Sequence, residues 1–228
     1  GSPILELTQA QRDELQKRLG HNTDVKVFVA MRYWQPLVEQ VAKDVLAFVP
    51  DRIILLPLYP QFSTTTTGSS VTAWEKAAAA AGLSCPTTTI CCYPVQNSFI
   101  RAHARSLGQA LKTLRASSDQ TSSDVVVLFS AHGLPKRVIA AGDPYAWQVE
   151  QTAAAIIEQL QTDGEFGQNV DWRVCYQSKV GPLEWIGPKT EDVIIEVAKN
   201  HKRIVVVPIA FVSEHSETLV ELDIEYRA

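Results

Sequence analysis

His132 lies in the run Leu128-Phe129-Ser130-Ala131-His132-Gly133-Leu134-Pro135, after an apolar stretch and before a glycine that lets backbone or ligand approach closely. An imidazole there has two chemical uses: taking a proton near neutral pH, or binding a metal through a neutral ring nitrogen. A hydrogen bond to a neighbouring loop is the structural alternative, and position alone does not separate the three. The second group is acidic. Glu217, Glu221 and Glu225 are spaced i, i+4 and i+8, so on an α-helix they stack along one face, with Leu219, Leu222 and Tyr226 on another. Such a ridge is ordinarily a solvated face whose like charges cost about a few tenths of a kcal/mol per pair. Starting beside Glu214 and His215, it also suits a file of carboxylates that guides a cation or relays protons. A third group, Thr64 to Thr67 followed by Gly68, Ser69 and Ser70, opens a helix whose N–H groups and hydroxyls suit an anion, with plain capping as the alternative. It has neither the lysine of a P-loop nor G-x-G-x-x-G spacing, which argues against nucleotide chemistry. His21, His103 and His201 fall on helices or turns and read as solvated side chains.

The elements that must position these groups alternate along the chain. Helical patterns cover Thr8 to Leu19 (with Thr8 as N-cap), Leu37 to Phe48, Gly68 to Ala81 and Phe99 to Leu114. Others cover Pro144 to Gln161, Lys189 to Asn200 and a stretch from Ser216 onward. Strand patterns cover Val25 to Ala30, Arg52 to Leu58, Thr87 to Cys92, Asp124 to Phe129, Trp172 to Tyr176 and Arg203 to Ile209. The run RIILLPL from Arg52 has the continuous apolar character of a strand buried on both faces. Strands separated by helices imply a parallel sheet, and the fold class is α/β. RIILLPLYPQFS from Arg52 also matches RIVVVPIAFVSE from Arg203, with Pro57 over Pro208. Two similar halves on either side of the polar stretch Arg115 to Ser123 predict two doubly wound domains, 1–115 and 116–228, whose strand ends should face a shared cleft. The alternative is that βαβ units resemble each other by shared physics.

Composition narrows the function classes. Of 228 residues 46% are hydrophobic and 20% charged, which supports a real core and excludes wholesale disorder. A net charge of −4 argues against a general nucleic-acid binder. No apolar run reaches the roughly 18 residues of a membrane span. The start, GSPI, has no secretory character. Cys85, Cys91, Cys92 and Cys175 make no C-x-x-C pair and read as free thiols of a cytosolic protein. With no initiator Met and a helical pattern still running at its end, the chain reads as a piece of something longer.

Four motifs in order, LYPQFSTTTTGSS (Leu58 to Ser70), LFSAHGLP (Leu128 to Pro135), CYQSKVGPLEWIGP (Cys175 to Pro188) and PIAFVSEHSETLVELDIEY (Pro208 to Tyr226), closely resemble the ferrochelatase family. The resemblance spans essentially the whole chain. It implies that the two domains are Rossmann-like, and insertion of Fe2+ into a porphyrin, protoporphyrin IX or coproporphyrin, in haem biosynthesis. His132 then matches the active-site histidine and Glu217 the carboxylate working opposite it, both catalytic and both candidate metal ligands. Glu214, His215, Glu221 and Glu225 match a proton or metal path, and Arg32, Tyr33, Tyr59, Trp185 and Ser130 match substrate-binding positions. Some relatives carry an iron–sulfur cluster with one ligand in the YPQ loop; Ser63, Thr64 and Thr65 stand there instead, so no cluster and no required cofactor are expected. The partners implied are porphyrin and Fe2+, with peripheral contact at the inner membrane for the full-length protein and no nucleic acid. Relative to the family pattern the first domain lacks its N-terminal strand and lip. The competing readings are a cobalt or nickel chelatase of the same fold and a non-catalytic two-lobed binding protein.

Overall fold

The computed structural model describes residues 2–20, 24–116, 125–164, 170–200, 202–215 and 217–226. The chain divides into two compact units. One comprises Gly1–Leu58, Ser63–Cys91 and Ser213–Ser216; the other comprises Tyr59–Phe62, Cys92–Val212 and Glu217–Ala228. The architecture is mixed α/β with parallel sheets flanked by helices.

The second unit is built around β3 (Val125–His132), with β4 (Asp171–Gln177) on one side and β5 (Arg203–Pro208) on the other, all parallel. β3 is buried on both faces because both are apolar. Val125, Val127, Phe129 and Ala131 point into a core shared with α4 (Asn97–Ala116) and α6 (Tyr145–Thr162). Val126 and Leu128 point the other way, onto Cys175 and onto Val193 and Val197 of α7 (Thr190–Lys199). A buried side chain of this size contributes roughly 1.5–3 kcal/mol, so the strand anchors the unit. A short helix, α5 (Lys136–Ala140), was not legible in the pattern. Helix α4 shares its apolar face, Ile100, Ala104, Leu107 and Leu111, with this core. The expected domain boundary at 115/116 is therefore corrected: α4 belongs to the second unit, and the chain changes unit near residue 91. Most of the expected linker, 117–123, lies outside the described residues, as do His21, His201 and Ser216.

The first unit packs α2 (Val38–Phe48) and α3 (Ser69–Ala81) around Ile53 of β1 (Ile53–Leu55), which pairs in parallel with β2 (Thr87–Thr89). Helix α3 ends where Gly82 turns left-handed at φ 84° and Leu83 N–H reaches back to the Ala78 carbonyl. Three expectations change here. Helix α1 runs Ile4–Leu19, so Thr8 sits inside it and its hydroxyl donates to the Ile4 carbonyl rather than capping. Val25 to Ala30 joins no ladder among the described residues; the Gln16 side chain takes the Val25 carbonyl and the Val27 N–H. The run from Arg52 is a strand for three residues only, paired among the described residues with β2 alone, and Ile54 is 62% exposed. No helix among the described residues is long and apolar enough to cross a membrane.

Candidate active site

The site forms where β3 outruns its neighbour. β5 stops pairing at Ser130↔Pro208, and only β4 continues, as far as His132↔Gln177. Along one face of β3 the side chains run Val126, Leu128, Ser130, His132, so one row passes from dry core to a third-exposed imidazole. Tyr145 O–H donates to the His132 carbonyl at 3.0 Å, and burial pushes that phenol's pKa upward. Gly133 N–H donates to the Gln177 carbonyl at 2.9 Å. A Cβ on Gly133 would lie 3.2 Å from both that carbonyl oxygen and Trp185 Cε3, so the glycine is needed for close approach.

His132 Nδ1–H donates to Glu217 Oε2 at 2.8 Å. The carboxylate can only accept, so this bond leaves Nε2 as the basic nitrogen of the neutral ring. The Trp185 ring stands edge-on to the imidazole with centroids 6.0 Å apart. Trp185 also borders a recess of ≈ 250 Å³ with Gly133, Tyr176, Gln177 and Lys179.

Glu217 opens a π-helical segment, Glu217–Glu225, where an α-helix was expected. Its wider winding shows in the Tyr226 N–H bond to the Glu221 carbonyl, five residues back. Glu217 and Glu221 are both half-buried and share the Ser178 hydroxyl, at 3.3 Å from Glu217 Oε2 and 2.7 to 2.8 Å from the Glu221 oxygens. Gln177 Nε2 donates to Glu221 Oε2 at 3.2 Å. Glu225 is exposed at the far end of the segment, so the expected file of three is a half-buried pair and a solvated third member. Burial, with the charges of Glu221, Glu191 and Glu225 adding to it, pushes the Tyr226 phenol up to about 12.

Ser130 is fully buried, its hydroxyl donating to Gln177 Oε1 at 2.6 Å and lying 2.9 Å from Thr190 Oγ1, so the hydroxyl is engaged by protein groups on both sides. Tyr59 is half-buried in a loop held by its neighbours. Gln61 Nε2 donates to Thr152 Oγ1 and to the Ile209 carbonyl, and Phe62 N–H donates to Gln148 Oε1. Arg32 and Tyr33 belong to the first unit. The Arg32 Nε–H donates to Ser69 Oγ at 3.1 Å, and its guanidinium lies 4.6 Å from the exposed Tyr33 ring, beside a cavity of ≈ 470 Å³ lined also by Glu39 and Lys76. Glu214 is exposed and His215 half-buried, in a segment grouped with that unit. Gln177 and Ser178 lie in the motif Cys175 to Pro188 but carry no assigned role from the sequence, and Thr190 lies outside the motifs. The available signal was that Gln177 and Ser178 close the strand paired with the one ending in His132.

Among the described residues, no cluster of three or more His, Cys, Asp or Glu side chains is arranged to hold a metal ion. The arrangement is a base, a hydrogen-bonded carboxylate behind it and a second carboxylate beyond, suited to moving protons or passing a cation along.

The profile of the ferrochelatase family matches residues 1–228. The ferrochelatases of Pelagibacter ubique and Caulobacter vibrioides are each 49% identical over 99% of this chain, which spans 63% and 62% of their lengths. That of Wolbachia pipientis is 46% identical over 100% of this chain and 70% of its own length. A match along every residue, with the expected histidine and glutamate found in contact, leads to one conclusion: this chain belongs to the ferrochelatase family.

Proposed function

We propose that this chain carries the proton-accepting part of a ferrochelatase, which inserts Fe2+ into a porphyrin and releases two protons. The His132–Glu217 hydrogen bond carries the reading. Metallation replaces two pyrrole N–H protons with one divalent cation, so a base must stand ready. His132 meets that need through Nε2, while Glu217 holds Nδ1–H and stabilises the imidazolium that forms. Glu221, linked through Ser178, offers a second carboxylate for onward transfer of protons or delivery of the cation. A pocket that holds the macrocycle puckered would aim its nitrogen lone pairs at the incoming ion, a use of binding energy for distortion. Trp185, Tyr59, Arg32 and Tyr33 are assigned to the porphyrin, and Glu214, His215 and Glu225 to the approach of the ion.

Iron is a substrate here, and the reading includes no resident cofactor or iron–sulfur cluster; Ser63, Thr64 and Thr65 offer hydroxyls, not thiolates, in the YPQ loop. A cytoplasmic location, peripheral contact at the inner membrane and the absence of a nucleic-acid partner come from the family resemblance and the charge. The test is anaerobic incubation of the full-length protein with porphyrin and ferrous iron or zinc, following the porphyrin absorption bands. We expect turnover, falling about 10²- to 10⁴-fold in His132→Ala, the usual worth of a positioned base. Metallation by His132→Ala at the unmutated rate would remove the histidine from the mechanism.

A further inference from the structure

Ser178 is one of two non-glycine residues with positive φ among the described residues, at 63°. The left-handed region costs a side-chain-bearing residue roughly 1–2 kcal/mol, so something at this position offsets it. Its neighbour indicates what. Successive side chains on a strand point to opposite faces, so Gln177, the last residue of β4, and Ser178 would diverge if the strand continued. They converge instead. Gln177 Nε2 and Ser178 Oγ both donate to the Glu221 carboxylate, and Ser178 Oγ also lies 3.3 Å from Glu217 Oε2.

The Gln177 end of this clamp is itself oriented. Ser130 O–H donates to Gln177 Oε1, so the amide is held with its NH₂ group toward the acidic segment. Because the Ser130 proton is committed there, Thr190 O–H is the donor in the bond between the two hydroxyls. The chain Thr190, Ser130, Gln177, Glu221 thus runs from the start of α7 through buried ground to the carboxylate. Ser178 closes it from the other side.

We propose that Ser178 is a positioning residue, whose left-handed backbone swings its hydroxyl onto the side of Gln177 so that the two clamp Glu221 beside Glu217. The clamp keeps two like-charged carboxylates close by placing a donor between them, where repulsion would otherwise drive Glu221 toward solvent. The inference rests on the reading of Glu217 and Glu221 as the route to His132. Its first effect falls on the metal-dependent part of the reaction.

Two variants separate backbone from hydroxyl. Ser178→Gly adopts the same φ freely and removes only the donor. Ser178→Asn restores a donor on a residue that tolerates the left-handed region. In the full-length protein, Ser178→Gly should keep its melting temperature and its KM for porphyrin while its KM for ferrous iron rises about tenfold, as for a lost hydrogen bond to a charged group. Ser178→Asn should recover most of that loss. An unchanged iron KM in Ser178→Gly overturns the proposal, and so does an equal loss in Ser178→Asn. Crystals of Ser178→Gly give an independent reading: Glu221 released from Gln177 supports the clamp, and Glu221 still in place refutes it. Should the unmutated protein fail to metallate porphyrin, the proposed function falls, and those crystals alone decide the clamp.

Discussion

The strands β1 and β5 arise from nearly the same run of residues and meet different fates. Arg203 begins six residues of ladder against a partner buried on both faces; the equivalent run from Arg52 makes three, against the exposed Thr87–Thr89. The contrast repeats at the two left-handed residues. Ser178 follows β4 and meets two carboxylates, whereas Val49 closes α2 at φ 54°, is 81% exposed, and has no side-chain partner among the described residues. A site accurate to tenths of an ångström needs a strand that cannot shift, and burial on both faces supplies that rigidity. Backbone strain is put to use only where such a strand ends.

The largest effect is expected from weakening the buried strand. Phe129→Ala should cost about 4 kcal/mol in urea unfolding, whereas Ile54→Ala on β1 should stay within about 0.5 kcal/mol. Trp172 reports the first directly, since its ring lies 5.9 Å from Phe129. Equal costs would mean the two strands are not differently anchored. A smaller effect of opposite sign is expected at the idle strain: Val49→Gly should raise stability by up to about 1 kcal/mol without altering metallation. A loss of stability there would show that the valine has a packing role the structure does not display.

The smallest effect is a pH dependence confined to the second unit. Burial lowers the pKa of His103, whose ring lies 4.6 Å from Phe99, so the folded protein favours the neutral imidazole. Its contribution is present above the ordinary value near 6.5 and is lost as pH falls through the lowered one. His103→Phe should therefore flatten the decline in melting temperature below neutrality. An unaltered slope would assign that decline to other groups.

Much of this architecture could be read along the chain. Helices α2, α4, α6 and α7 follow their apolar periodicity to within a few residues, and β3 follows from an unbroken run of five apolar residues, Val125 to Phe129. The readings that failed depended on a partner. Val25 to Ala30 has strand-like residues but its backbone groups meet Gln16, and Thr8 has a capping residue's chemistry at a position the helix had already passed. Ser130 stands two residues before His132 in sequence and faces the interior in space, because β5 and α7 cover it.

The order of residues alone determined the parallel α/β plan, the placement of His132 at a strand's carboxyl end and the recurrence of glutamates from 217, since each depends on local periodicity and residue type. Tertiary structure decided that the acidic segment winds as a π-helix, that only two of its glutamates are drawn inward, and that Gln177 and Ser178 close on the second of them. These depend on which donors from distant parts of the chain reach the carboxylates, and no spacing along one strand or helix encodes that.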